Sequence, residues 1–93
     1  MSAGWVIGVL RVIEDEPAPV RHFYAVSQQD QARAEWAAVD CAVRSGAVAT
    51  SPYGGAEPVE AVGPLTPLGI RSLGLAPGQV KPLGSRWPRG WVG

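Results

Sequence analysis

Residues 27 to 46, SQQDQARAEWAAVDCAVRSG, decide how this chain folds. Ser27 followed three positions later by Asp30 is a helix-opening pattern: the hydroxyl accepts from a free backbone N–H, and the carboxylate meets the positive end of the helix. The Ala-rich run behind it favours helix, Arg44 suits the C-terminal end, and Gly46 stops it. At about 100° per residue, Ala32, Trp36, Val39 and Val43 fall within one stripe. By side-chain size that stripe is the one expected to face a core, with Trp36 anchoring the helix on a sheet. Ala34, Ala37, Ala38 and Cys41 then form a small-residue face on the other side. That face reads either as exposed Ala chosen for helix propensity or as a surface closely covered by another chain.

Upstream, Trp5 to Ile13 is nearly all apolar and rich in Val and Ile, which predicts a central strand covered on both faces. The acidic stretch Glu14 to Pro19 breaks the pattern, and Arg21 to Val26 resumes it, so the two runs predict an antiparallel hairpin. Downstream, AVATSPYGGAEP (47–58) is a loop. Its glycines lack the Lys-Ser/Thr and the following helix that a phosphate-binding loop needs. Val59 to Val62 predicts a third strand, and Pro58 favours an edge position for it or the start of the strand.

Thr66 then suits a helix cap, Pro67 the first helical position, and Gly74 a stop after about two turns, with Ile70 and Leu75 closing the end as a hydrophobic clasp. A Pro77-Gly78 turn leads into a fourth strand over 79–83. The fold class is therefore α+β, with a mainly antiparallel sheet of about four strands and one long helix packed on one face, in the order β-β-α-β-α(short)-β. A single domain covers 1–83, and a Trp-, Arg- and Gly-rich tail covers 84–93.

The segment carrying Ile70, Arg71, Leu73, Gly74, Leu75, Pro77, Gly78 and Val80 resembles the short helix, turn and strand of the swapped-hairpin, AbrB-like transcription regulators. The resemblance spans about a fifth of the chain and implies a dimeric DNA-binding regulator using residues 64–81. Two features depart from that family: Pro82, Gly84 and the tail stand where the hairpin's completing strand belongs, and the preceding elements come in another order.

Composition narrows the possible functions. Apolar residues make up 46% and charged residues 17% of the 93, enough for a core and too few charges for a wholly disordered chain. A chain this short buries only about 60–65% of the surface it exposes unfolded, so stability is modest. Net charge is zero, which argues against a general nucleic-acid or anionic-membrane binder. The charge is uneven, however. Residues 1–60 carry all eight acids and four bases, a balance of −4, while 61–93 carry Arg71, Lys81, Arg86 and Arg89, a balance of +4. The N-terminal stretch has no basic segment before its apolar run, and Arg11 interrupts that run, so neither a signal peptide nor a membrane span is expected. One cysteine and no membrane signal fit a cytoplasmic protein, and the Ala-, Gly-, Pro- and Arg-rich usage is bacterial in style.

Chemistry-bearing residues are few. His22 is the sole histidine, and Cys41 has only Ala near it on the helix, so a cysteine-dependent enzyme is a lesser alternative and a buried thiol the stronger reading. Glu14, Asp15 and Glu16 lack the alternating ligands and glycine of a calcium loop and read as a solvated hairpin tip. No catalytic residue, metal site or cofactor is expected. The main expectation is a non-catalytic interaction module or accessory subunit. Its partner, another protein or a second copy, would use the sheet face, the Ala/Cys41 helix face or the tail. The candidate partner-binding residues are Arg86, Trp87, Arg89 and Trp91, because Trp and Arg are the side chains most enriched in binding hot spots. Three fates compete for the tail, in this order: folding back so that Trp87 and Trp91 cover the sheet, docking on another protein, and disorder in solvent.

Overall fold

The apolar run near the N-terminus, up to the arginine that interrupts it, forms β1 (Gly4–Arg11), whose side chains alternate between two covered faces. The computed structural model describes residues 3–91. β1 is followed by β2 (Val20–Val26), α1 (Gln31–Ser45), β3 (Val59–Leu65), α2 (Pro67–Leu73) and β4 (Val80–Gly84). The four strands make one antiparallel sheet in the order β3-β1-β2-β4. This is the α+β class and element order that the sequence predicts, with β1 and β2 central and the Pro-bearing β3 and β4 at the edges, where a missing N–H does least harm.

Register sorts the side chains between two cores. Ile7 faces Tyr24 and Val9 faces His22 across the β1–β2 pair. Ile7, Val9, Tyr24 and Val26 line the face under α1, joined at the margin by Trp5, Val59, Ala61 and Val80. On the reverse face, Val6, Phe23, Ala25 and Leu65 pack with Leu73 and Leu75 from α2 and its exit, together with Ile70, Leu83 and Trp91. No polar side chain is buried among the described residues.

α1 meets the sheet through the opposite side from the one its side-chain sizes predict. Ala34, Ala38 and Ala42 are fully buried, Ala37 and Cys41 pack beside them, and Trp36 is 71% exposed. The centre of the Ala/Cys41 face is therefore core, with Ala37 and Cys41 half-buried at its margin. The physical reason lies in the sheet. Tyr24, Ile7, Val9 and Val26 already fill the layer beneath the helix, so only methyl-sized side chains fit between the helix backbone and the strands. Trp5, not Trp36, is the indole that ties the two layers together: it packs at the core margin and its Nε1 donates to the Gln29 carbonyl at 2.9 Å.

The helix also starts later than the Ser27 pattern predicts. Asp30 is the cap, its carboxylate accepting from the Arg33 N–H at 2.9 Å. Ser27 is drawn into the sheet instead, its N–H donating to the Gln79 carbonyl and its own carbonyl accepting from the Gly78 N–H. The second helix follows its sequence signals closely. Thr66 Oγ1 accepts from the Gly69 N–H, and Gly74 takes the left-handed conformation at φ 70°. The N–H groups of Gly74 and Leu75 donate to the carbonyls of Arg71 and Ile70, the paired bonds of a Schellman ending.

Two substitutions separate the helix faces. Ala38→Leu forces a larger side chain between helix and sheet and is expected to lower unfolding stability by about 1–3 kcal/mol. Trp36→Ala, at a solvent-facing position, is expected to change it by less than about 0.5 kcal/mol. Urea denaturation at low micromolar protein measures both, and a larger loss from Trp36→Ala would contradict the orientation described.

Candidate functional site

On the sheet face away from α1, Gly8 leaves a gap in the middle of β1 that Arg21 of β2 fills. A Cβ on Gly8 would lie 2.7 Å from Arg21 Nη1 and 3.0 Å from its Cδ, so the close approach of this side chain requires the glycine. Arg21 thereby crosses β1 and reaches the β3 side. Its Nη2 donates to the Glu57 carbonyl at 3.0 Å, and its Nη1 lies 3.3 Å from Glu60 Oε2. That ion pair has contact distance without hydrogen-bond alignment, and Nη1 is buried with no hydrogen-bond partner.

Arg21 and Glu60 form one side of an open cleft of about 420 Å³ whose remaining walls are Val62, Trp87 and the turn Gly54-Gly55-Ala56. The turn is a tight one. Tyr53 and Ala56 exchange backbone hydrogen bonds of 2.9 and 3.0 Å, and both central residues have positive φ, 58° and 82°, which glycine alone adopts without strain. It is a hairpin tip and not a phosphate cradle.

The tail supplies the other wall. Trp87 meets Phe23 edge to face, with ring centroids 5.5 Å apart and planes at 84°, yet it is 48% exposed. Pro88 is buried, and a short turn follows in which the Arg89 N–H donates to the Trp87 carbonyl and the Trp91 N–H to the Pro88 carbonyl. Trp91 is half-buried against the reverse-face core and borders a smaller recess of about 270 Å³ beside Leu65, Thr66, Leu68, Gly69 and Ser72. Arg86 and Arg89 are exposed, and among the described residues the one ion pair is Arg21–Glu60. Of the four candidate residues, Trp87 thus borders the larger cleft and Trp91 the smaller recess, while Arg86, just before Trp87, and Arg89, between the two indoles, are exposed.

Arg21, Glu60 and Val62 were not among the sequence candidates. They lie far apart along the chain, and only the register of β1 between β2 and β3 brings them together. The available signal was Gly8, a glycine inside a run of Val, Ile and Leu.

On the α1 side, His22 and Tyr24 stand next to Arg11. Burial, reinforced by the Arg11 charge, holds the His22 imidazole below its usual 6.5. Burial raises the Tyr24 phenol above 10.0, against the pull of Arg11. Cys41 is half-buried against the core, and no hydrogen bond among the described residues joins its thiol to His22. No three His, Cys, Asp or Glu side chains converge among the described residues. The hairpin acids Glu14, Asp15 and Glu16 are exposed. No helix among the described residues is long and apolar enough to cross a membrane.

Comparison of the chain with protein-family models, with curated protein sequences and with solved structures finds no match. The segment 64–81 that resembles part of the swapped-hairpin regulators forms the end of β3, α2 and the turn into β4, which pairs with β2.

His22 gives a pH signature. Because its folded-state pKa lies below 6.5, the unfolded chain takes up the proton first as pH falls. Its contribution to stability is intact above about 6.5, declines below that, and levels off once pH is under the folded-state value. NMR titration of the imidazole is expected to give a midpoint under 6.5, and His22→Gln to flatten the stability profile between about pH 7 and 5. A midpoint at or above 6.5 would contradict this environment.

Proposed function

We propose that the protein is a non-catalytic interaction module that binds an acidic, apolar-anchored segment of another protein through Trp87, Arg86, Arg89 and the cleft beside Arg21. The observation that carries this reading is the state of Trp87, held in place by Phe23 while nearly half of it faces solvent at the mouth of the cleft. A ring fixed before binding loses little conformational entropy on docking, and Trp with Arg dominates binding hot spots. Arg86 and Arg89 have no acidic partner among the described residues, so a carboxylate-bearing segment gains charge-assisted hydrogen bonds without displacing existing ones.

The sheet face, the second surface that the sequence suggests, enters through the same cleft, where Val62 and Arg21 are uncovered by α2. The small-residue face of α1 drops out because its centre is core. A DNA-binding role finds less support: net charge is zero, and the short helix and Pro77-Gly78 turn are used to seat β4 on the chain's own sheet.

The test is affinity capture with tagged wild-type protein, Trp87→Ala and the double variant Arg86→Glu/Arg89→Glu, followed by calorimetry with the purified partner. Both variants are expected to keep the wild-type circular dichroism spectrum and to bind at least about thirtyfold more weakly, as loss of a hot spot of ~2 kcal/mol implies. Equal binding by wild type and both variants would sink the proposal.

A further inference from the structure

The outward stripe of α1 has the spacing of a helix-pairing seam. Ala32, Trp36, Val39 and Val43 are separated by four, three and four residues, the a/d rhythm of a coiled coil, and this fold buries the other side of the helix. Trp36 is the most exposed large apolar side chain among the described residues, and Val43 is 54% exposed. With Glu35, Val39 and Val59, Trp36 borders an apolar recess of about 360 Å³.

The charges beside the seam select the occupant. Arg33 and Asp40, seven residues apart, lie along one flank, and Glu35 lies along the other, where Ala42 is buried against the sheet. In an antiparallel pair of α1 helices related by a two-fold axis, each flank meets the same flank of its mate. Trp36 then packs on Val39 of the second copy, Ala32 on its Val43, and Arg33 comes beside its Asp40. By symmetry the Arg33–Asp40 contact forms twice. On the other flank Glu35 is the one charge, because Ala42 is buried against the sheet, so neither flank brings like charges together. A parallel pair instead sets Glu35 beside Asp40 and loses both attractions. Within one chain, Arg33 and Asp40 have no ion-pair partner among the described residues, and the zero net charge leaves no overall repulsion between copies.

We propose that α1 is the interface of a two-fold homodimer, with the Trp36–Val39 seam as its centre and reciprocal Arg33–Asp40 pairs setting the antiparallel orientation. The seam lies across the sheet from Trp87 and its cleft, so this inference stands independently of the tail reading. The seam is four side chains on one helix, where a standard interface engages about 20–30 residues a side, and the dimer is accordingly a weak, concentration-dependent one.

Sedimentation equilibrium of the full chain from about 1 µM to about 1 mM tests it. The wild type is expected to pass from monomer to dimer over that range. Trp36→Lys and Asp40→Arg are each expected to weaken association at least tenfold while helix content stays unchanged. The exchange Arg33→Asp/Asp40→Arg is expected to restore it to within about threefold of wild type. A monomer across the whole range overturns the proposal, as does a dimer indifferent to Trp36→Lys or a charge exchange that restores nothing. A partner captured through the tail is expected to bind Asp40→Arg as well as wild type, which keeps failure of either reading distinguishable from failure of the other.

Discussion

The close seating of an alanine stripe on a sheet of large side chains is the constraint on which the rest of the molecule depends. Ala34, Ala38 and Ala42 contribute almost no volume, so the layer beneath α1 is filled from below by Ile7, Val9, Tyr24 and Val26. Close packing penalises both a void and an extra methylene here, because a helix backbone and a pleated sheet yield little. Once the small face is turned inward, the large face has nowhere to go but solvent. Trp36 and Val43 are exposed as a direct result of how the core is filled.

The reverse face of the sheet is covered piecemeal. The two turns of α2 cap the end near Leu65 with Leu73 and Leu75, and the tail lays Trp91 and Trp87 along the remaining side. Neither element reaches the ground between Gly8 and Glu60, where Arg21 lies instead. A small domain commonly closes such a gap with one long amphipathic side chain whose methylenes cover apolar surface while the guanidinium reaches polar groups at the rim. The cleft is what remains beside that cover, and its shape follows from the glycine beneath Arg21 and the two glycines of the hairpin tip.

Local grammar was legible in the sequence wherever a residue acts through its own backbone. Thr66, Pro67, Gly74 and Leu75 lie where capping chemistry puts them, Pro58 stands just before β3, an edge strand, and the β1 run is central because only a strand covered on both faces tolerates so little polarity. The orientation of α1 was not legible, for a definite reason. The helix carries two apolar stripes of equal periodicity, and periodicity says nothing about which one the sheet has room for. That answer rests on the bulk of Ile7 and Tyr24, which come from strands whose register is unknown until the sheet is assembled. Ser27 was misread for a related reason: its backbone is claimed by the β4 turn at Gln79, a partner more than fifty residues away. The same limit hid the meeting of Arg21 with Glu60.

The order β3-β1-β2-β4 also sets a schedule for synthesis. The β1–β2 hairpin is whole once Val26 has left the ribosome, but the far edge of β1 is not covered until β3 follows, some thirty residues later. At translation rates of about 5–20 residues per second the nascent chain therefore carries a bare, Val- and Ile-rich edge for seconds, the kind of template on which neighbouring chains add strands. Pro58 stands just before the incoming strand and Pro64 is its penultimate residue. They leave the finished sheet with a poor edge for further growth, so the hazard ends when β3 docks.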